Sequence, residues 1–187
     1  FGDIYVQRIS SSGTALWATN GIVVCNSTSF QTFPAITSDA AGGAIITWQD
    51  NRGGTYDIYA QRVDPSGNML WAANGVVISA AAIVQVQPRI TADGAGGAVI
   101  VWTDYRNGCN CTSSADVYAQ RINSAGVPQW TTDGVALCTA PSDQLGSNIV
   151  SDGAGGAIVA WEDQRDLGVS GSNIFAQRVS SSGSPSW

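Results

Sequence analysis

The motif Trp-x-Asp-x-Arg occurs three times and places a carboxylate between an indole and a guanidinium group, beginning at Trp48, Trp102 and Trp161. Strand alternation would put the three side chains of each motif on one face. One interpretation is a sugar-binding rim, in which Trp stacks and Asp and Arg bond hydroxyls. The other is a structural Asp–Arg pair, bidentate if geometry permits, that ties the strand end to the following loop or to a neighbouring unit. The candidate ligand-binding residues are Asp50, Arg52, Asp104, Arg106, Asp163 and Arg165. Because a catalytic pair should occur once and not three times, the recurrence favours the structural interpretation.

Catalytic and metal-binding chemistry finds little support elsewhere in the chain. There is no histidine to activate a Ser or Cys nucleophile. Nine of the fourteen acidic residues recur at repeat positions, and a glycosidase would need two of the others to face each other across a bond. Those others are Asp64, Asp133, Asp143, Glu162 and Asp166. The segment from Asp93 to Gly97 has one carboxylate, which favours a turn over a calcium loop. We therefore expect no enzyme activity, no metal and no cofactor.

Charge and hydropathy exclude two classes of partner. The net charge is −6, and seven of the eight arginines lie at repeat-equivalent positions, so there is no basic patch for nucleic acid. The longest apolar runs, such as Ala98 to Trp102, have the length of a strand and predict no membrane insertion.

Two glycosylation sequons favour an extracellular or cell-surface location, where an oxidising environment would in turn favour a disulfide. Cys109 and Cys111 are close enough in sequence to pair, whereas Cys25 and Cys138 hold equivalent positions two repeats apart, which would separate them widely in a repeat array. We predict a Cys109–Cys111 disulfide, with pairing of either cysteine to Cys25 or Cys138 as the alternative. The sequons begin at Asn26 and Asn110.

The whole chain is built from one repeated unit. Its copies start at Asp3, Asp57, Asp116 and Asn173, at intervals of 54, 59 and 57 residues. Such a period indicates a repeat architecture in which each unit buries its apolar face against its neighbours. The longest insertion, from Asn107 to Ala115, is where an individual binding function would most naturally lie.

Each unit predicts four short antiparallel strands, A to D. In the first full unit, strand A begins at Pro34 and ends in a turn in which Asp39 bonds the following amides and Gly42-Gly43 supplies positive φ. Strand B is Ala44 to Trp48, strand C is Asp57 to Val63, and strand D is Gly75 to Ile78. The array divides into a half unit at 1–25, full units at 34–79 and 88–138, and an incomplete unit at 146–187. The motif tryptophans should be buried between units.

The repeat, with its pattern G-G-A-[IV]-[IV]-x-W-x-D-x-R followed by D-[IV]-Y-x-Q-R, resembles the tandem β-propeller repeats of secreted and cell-surface bacterial and archaeal proteins. This resemblance covers almost the whole chain and implies an all-β fold of four-stranded blades. Propellers usually have about four to eight blades, and this chain holds about three. It would then be a fragment of a larger propeller, half of a two-chain ring, or an open assembling array.

The sequence thus predicts an extracellular, non-catalytic structural or adhesive module of a larger surface protein or assembly. The alternative is a lectin-like carbohydrate-binding propeller, and the third interpretation is a fragment of a glycoside hydrolase. Expected partners are further copies of the chain or more chain of the same protein, and glycans under the lectin interpretation. The incomplete terminal units should leave unpaired strand edges.

Overall fold

The computed structural model describes residues 2–108 and 115–187 as an all-β structure of thirteen strands. Within these residues there is no helix, and hence none long and apolar enough to cross a membrane. The strands are β1 (Ile4–Val6), β2 (Ile22–Cys25), β3 (Gln31–Ser38), β4 (Ala44–Asp50), β5 (Asp57–Val63), β6 (Val76–Ser79), β7 (Gln85–Ala92), β8 (Ala98–Asp104), β9 (Asp116–Ile122), β10 (Val135–Cys138), β11 (Gln144–Ser151), β12 (Ala157–Asp163) and β13 (Asn173–Val179).

Successive strands pair with each other in antiparallel sheets, which confirms the predicted four-stranded unit. Two sheets are complete, β3-β4-β5-β6 and β7-β8-β9-β10. The sheet before them contains only β1 and β2, and the sheet after them contains β11, β12 and β13. The terminal sheets are therefore incomplete, as the sequence predicts.

The predicted boundaries of strand A need correction. Strand A starts at Gln31 and not at Pro34, and the next copy starts at Gln85 and not at Pro88. A register shift between Thr32 and Ala35 accommodates the proline, because the bulged residues do not have to donate to the ladder. The bulge residue Phe33 has a φ of 54°. Strand C matches its predicted range in full.

The turn between strands A and B forms as its residues predict. One carboxylate oxygen of Asp39 accepts hydrogen bonds from the amides of Ala41 and Gly43, each at 2.8 Å. Gly42 has a φ of 85°, whereas Gly43 is needed for another reason. A Cβ on Gly43 would overlap the carbonyl oxygen of Val63 in the facing strand.

The core lies between the sheets. Ile45 and Ile58 of one blade pack with Ile100 and Trp102 of the next, and similar clusters fill the other two boundaries. The motif tryptophans Trp48, Trp102 and Trp161 are 0%, 0% and 4% exposed. The prediction that these indoles pack between blades is confirmed, and the apolar character of strand B follows from its burial on both faces.

Of the four cysteines, Cys25 and Cys138 lie within the described residues. Cys25 and Cys138 are free thiols, so no bond joins them to each other. Cys109, Cys111 and Asn110 lie outside the described residues, and their pairing and glycosylation stay predictions. Asn26 is exposed.

Candidate functional site

The Trp-x-Asp-x-Arg residues form a compact cluster at the end of strand B in each blade. In the middle cluster, the indole Nε1 of Trp102 donates to Oδ2 of Asp104 at 2.7 Å. The guanidinium of Arg106 donates through Nε to Oδ1 at 2.9 Å and through Nη2 to Oδ2 at 2.6 Å. The backbone amide of Arg106 also donates to Oδ1, which closes the turn into the following loop. This bidentate pair matches the geometry predicted from the sequence.

Each guanidinium also lies over an aromatic ring and reaches a neighbouring blade. The Cζ atom of Arg106 is 3.9 Å from the centroid of the Tyr118 ring, and the other two clusters repeat this contact at 4.0 and 4.1 Å. Nη2 of Arg165 donates to the Cys138 sulfur of the preceding blade at 3.2 Å. The first cluster differs, because Nε of Arg52 is buried without a hydrogen-bond partner.

Burial determines what these clusters can offer to a ligand. The three aspartate side chains are 0% exposed, while the arginine side chains retain 18% to 30% exposure. A sugar could reach the guanidinium edges but not the carboxylates. The geometry favours the structural interpretation, and ligand binding at these residues stays a prediction.

In the first and last clusters, hydrogen bonds explain why Asp50 and Asp163 stay charged although they are buried. Hydrogen bonds from Arg165, opposed by burial and aided by Trp161, lower the pKa of Asp163 well below its usual range. Burial favours the neutral form of Asp50, but hydrogen bonds from Arg52 and Trp48 outweigh it and lower the pKa. These are ion pairs at neutral pH and not proton donors.

The carboxylate at the start of strand C behaves in the opposite way. Asp57 lies beside Asp50 in the register of strands B and C and is 7% exposed. Burial, with smaller contributions from the charges of Asp50 and Asp133, raises the pKa of Asp57 to about 6. Burial also raises the pKa of Asp116 in the next blade, although Asn107 donates a hydrogen bond to that carboxylate.

A second ion pair per blade was missed by the sequence reasoning. The arginine that follows glutamine in strand C reaches back to the aspartate of the turn between strands A and B. Nε and Nη2 of Arg62 donate to Oδ2 of Asp39 at 3.0 and 2.9 Å. The same pair recurs as Arg121 with Asp93 and as Arg178 with Asp152. The recurrence of both residues was a usable signal, but their spacing in sequence does not show that they meet.

Of the five acidic residues outside the repeat pattern, four lie in connections and Glu162 lies in β12. Asp64 caps the turn before Asn68, Asp133 accepts the amide of Ala80, and Asp143 accepts the amide of Ala115. Glu162 lies in a pocket with Trp161, Ile174 and Asn148, and Asp166 lies in the loop after strand B. Among the described residues, no group of three or more His, Cys, Asp or Glu side chains could hold a metal ion.

One end of the blades carries two sets of connections. Strand A begins, strand B ends and strand C begins at this end, because Gln31 pairs with Asp50 and Asp50 pairs with Asp57. We call it the loop face; it is formed by residues 26–33 and 51–56 and their equivalents in the other blades. Phe30 and Phe33 lie here with 51% and 53% of their side chains exposed.

Three solved structures have a similar fold over most of this chain. An α-L-arabinanase of Penicillium chrysogenum, complexed with arabinobiose, is 12% identical with a TM-score of 0.58, over 87% of this chain and 50% of its own. An α-L-arabinofuranosidase of Fusarium graminearum is 9% identical with a TM-score of 0.55, over 100% and 52%. An endo-arabinase of Bacteroides thetaiotaomicron is 18% identical with a TM-score of 0.52, over 89% and 64%. No protein-family model matches the chain, and no curated protein matches it in sequence.

The fold is therefore that of a partial β-propeller. The arabinanases among these structures are five-bladed propellers, and the chain spans one half to two thirds of the length of the structures it matches.

The prediction of a non-catalytic structural or adhesive module, with no enzyme activity, is contradicted by these comparisons. The propellers similar to this chain are arabinanases and an arabinofuranosidase, so the repeat architecture does not indicate an inert scaffold. The physical reason for the error is that recurrence of a motif reveals how blades are held together. It says nothing about chemistry carried by residues that occur once.

Proposed function

We propose that this chain is part of a glycoside hydrolase propeller that acts on an arabinose-containing polysaccharide. The observation that carries the proposal is the shared fold with the three arabinan- or arabinoside-directed enzymes described above, at TM-scores of 0.52 to 0.58. Because the chain spans only part of their length, its blades supply part of a substrate-binding face and not a whole propeller.

The loop face supports this role. Two large aromatic side chains, Phe30 and Phe33, are about half exposed on this face. Phe33 is held out by the bulge in strand A, at a position occupied by Gln87 in the next blade and by Gly146 in the one after. An aromatic ring in such a place offers an apolar surface for the carbon face of a sugar ring.

The direct test is incubation of the protein with linear arabinan and with arabino-oligosaccharides. Release of reducing ends and binding by isothermal titration calorimetry are both measured, with xylan and cellulose oligosaccharides as controls. We expect arabinan-selective binding and release of arabino-oligosaccharides. Selective binding without release would overturn hydrolysis, and no binding at millimolar oligosaccharide would overturn the substrate class as well.

The role of the Phe33 ring can be tested with a matched control substitution. Phe33→Ala should weaken arabino-oligosaccharide binding about tenfold, while Gln87→Ala at the equivalent bulge should leave it unchanged. Because both positions have positive φ, the two variants share any backbone effect. Equal effects of the two substitutions on binding would remove Phe33 from the proposed site.

A polymeric carbohydrate substrate also supports a location outside the cell or at its surface. Asn26, the described sequon asparagine, is exposed and so accessible to glycosylation in an extracellular compartment.

A further inference from the structure

A buried carboxylate without a hydrogen-bond donor lies at the start of strand C in the blade formed by β3 to β6. Asp57 is 7% exposed, and within residues 2–108 and 115–187 nothing donates to its side chain. The hydroxyl of Tyr59, on the same face of the strand, also has no hydrogen-bond partner within these residues. The charge of Asp57 acts on this hydroxyl, so the two groups are close. The blade packs against a neighbouring sheet on both sides.

The next blade shows which partner such a pair can take. The side-chain nitrogen Nδ2 of Asn107 donates to Oδ2 of Asp116 at 2.8 Å and to the hydroxyl of Tyr118 at 3.1 Å. One carboxamide thus bridges the carboxylate and the phenol. Asn107 directly follows the Trp-x-Asp-x-Arg motif, and the equivalent residue in the blade of β3 to β6 is Gly53.

Gly53 leaves the place of this carboxamide open. A Cβ at Gly53 would lie 3.2 Å from Oδ2 of Asp57 and would meet no other heavy atom within 4 Å beyond its chain neighbours. Gly53 and Gly54 are both exposed on the loop face, and a Cβ at Gly54 would meet nothing within 4 Å. Oδ2 of Asp57, on a side chain more than nine-tenths buried, therefore faces a space that a small molecule can enter from solvent.

The charges around Asp57 favour a donor that is positively charged. The groups whose charges act on Asp57 are Asp50, Asp133 and Arg52. Nη2 of Arg52 is 2.5 Å from Oδ2 of Asp50, so these two charges compensate each other. Asp57 and Asp133 remain without a counter-charge. A charged donor gains both a hydrogen bond and the attraction of these carboxylates, whereas a neutral donor gains the hydrogen bond alone.

We propose that Asp57, Tyr59 and the space over Gly53 form a binding site for an ammonium ion or a short primary alkylammonium ion. Its N–H groups donate to the carboxylate and to the phenol oxygen, as the carboxamide of Asn107 does in the next blade. The site is independent of the proposed binding of a polysaccharide.

A metal ion and a sugar hydroxyl fit the site less well. Calcium takes six to eight oxygen ligands, and among the described residues no group of three or more His, Cys, Asp or Glu side chains could hold a metal ion. A sugar hydroxyl would satisfy one oxygen of Asp57 but would leave its charge uncompensated.

The test follows the carboxyl carbon of Asp57 by nuclear magnetic resonance at pH 7. The protein is titrated with ammonium chloride and with methylammonium chloride. Potassium chloride, a similar cation without donors, and tetramethylammonium chloride, an organic cation without N–H groups, are controls at equal ionic strength. We expect a saturable shift with the two N–H donors only. Half-saturation should need about 0.1 M ammonium and less methylammonium, because the affinity of so small a ligand is limited by its number of atoms. The carboxyl carbon of Asp116, which already has a donor, should respond equally to all four salts.

Two exchanged substitutions test the role of the open position. Gly53→Asn introduces a carboxamide beside Asp57 and should abolish its response to ammonium. Asn107→Gly removes the carboxamide beside Asp116 and should give that residue the response. Both variants are compared with the original protein in potassium chloride, so that changes in the resonance caused by the substitution alone are subtracted.

Three results would overturn the proposal. One is an equal shift of Asp57 with potassium and with ammonium, which would reduce the effect to charge screening. Another is the absence of a shift with any of the four salts. The third is an unchanged ammonium response of Asp57 in a folded Gly53→Asn protein. If either variant does not fold, the comparison of the four salts on the original protein decides the question alone.

Discussion

Asp57 and Asp116 occupy equivalent positions at the start of strand C, and both are almost fully buried. They differ in their neighbours. Asn107 donates a hydrogen bond to Asp116, whereas no described residue donates one to Asp57. A buried carboxylate without a donor is stabilised by protonation, because the charged form loses its hydration without replacement.

We predict that Asp57→Asn changes how stability depends on pH. The pKa of Asp57 is about 6 in the folded protein and 3.8 in its unperturbed state, so the folded state binds the proton more tightly. The free energy of unfolding should therefore fall as the pH rises from 4 to 6, by up to about 3 kcal/mol. Asp57→Asn should remove this loss and be more stable than the original protein at pH 7.

Urea denaturation at pH 4 and pH 7 measures the effect. Asp116→Asn is the matched control, because its carboxylate has a hydrogen-bond donor and should show a smaller gain at pH 7. A pH dependence that is the same in the original protein and in Asp57→Asn would contradict the assignment.

At the scale of residues, the sequence predicts contacts between neighbours on the chain better than contacts between distant residues. The Trp-x-Asp-x-Arg cluster was predictable because its members are two residues apart, with Trp and Asp on strand B and Arg just after its end. The pair of Asp39 with Arg62 was not, because 23 residues separate its members and only the hairpin brings them together. The exposure of Phe33 could not be predicted, because it depends on a bulge and a positive φ that the amino-acid sequence does not reveal.

At the scale of elements, the turn between strands A and B is the most constrained connection. In the middle blade, the amides of Ala95 and Gly97 donate to one oxygen of Asp93, and the other oxygen binds Arg121. Gly97 lies against the backbone of the facing strand, so that a Cβ would overlap the carbonyl oxygen of Ile122. The turn, the ion pair and the hairpin therefore depend on one glycine.

Gly97→Ala should lower the free energy of unfolding by at least about 2 kcal/mol, because the backbones of two strands must separate to admit the methyl group. Gly168→Ala, in a loop where a Cβ would meet nothing, is the control and should change stability by less than about 0.5 kcal/mol. Chemical denaturation of both variants checks the prediction, which is refuted if their midpoints coincide.

Strand ends were harder to predict than strand centres. Strand C was placed correctly because its β-branched and aromatic residues run without interruption from Asp57 to Val63. Strand A was placed three residues late because Pro34 reads as a strand boundary. Strand B continues two residues past the predicted Trp48 because the polar Asp50 is satisfied inside the sheet by the cluster.

At the scale of the whole molecule, three blades contain a strand B, and each of them is stabilised by two Asp–Arg pairs. Burial opposes the charge on Asp39 and Asp152, but hydrogen bonds from turn amides and from their arginines lower the pKa of both. The pKa of Asp50 and that of Asp163 are lowered as well. A group whose pKa is lower in the folded state stabilises the protein above its unfolded pKa, and this stabilisation is lost as the pH falls.

We predict that the protein loses stability steeply below about pH 4, where the unfolded carboxyl groups bind protons first. Asp39→Asn should be less stable than the original protein at pH 5, whereas the two should converge towards pH 2. Urea midpoints measured from pH 5 to pH 2 test this. A constant difference between variant and original over that range would show that the charge of Asp39 does not contribute.

The architecture was predictable because each unit repeats the same strands, while the assignment to a non-catalytic role failed. The repeated residues are those that pack the blades together, so they predict the propeller architecture well. Glycoside hydrolase propellers differ from inert ones in residues that need to occur only once. Residues that occur once in this chain, such as Phe33 and the five acids outside the pattern, are not revealed by a search for repeats.

At each blade boundary, a tryptophan and an arginine of one blade donate to a turn carbonyl of the next blade, and this contact has a direction along the chain. Each indole precedes the carbonyl it binds by 48, 53 or 51 residues. During synthesis from the N-terminus, a blade therefore emerges from the ribosome before the carbonyl that its tryptophan binds has been made. That carbonyl becomes available only after nearly one more repeat has been translated. At about 5–20 residues per second, the delay is several seconds for every boundary. Folding should then advance one blade behind translation, and each newly made turn completes the blade before it.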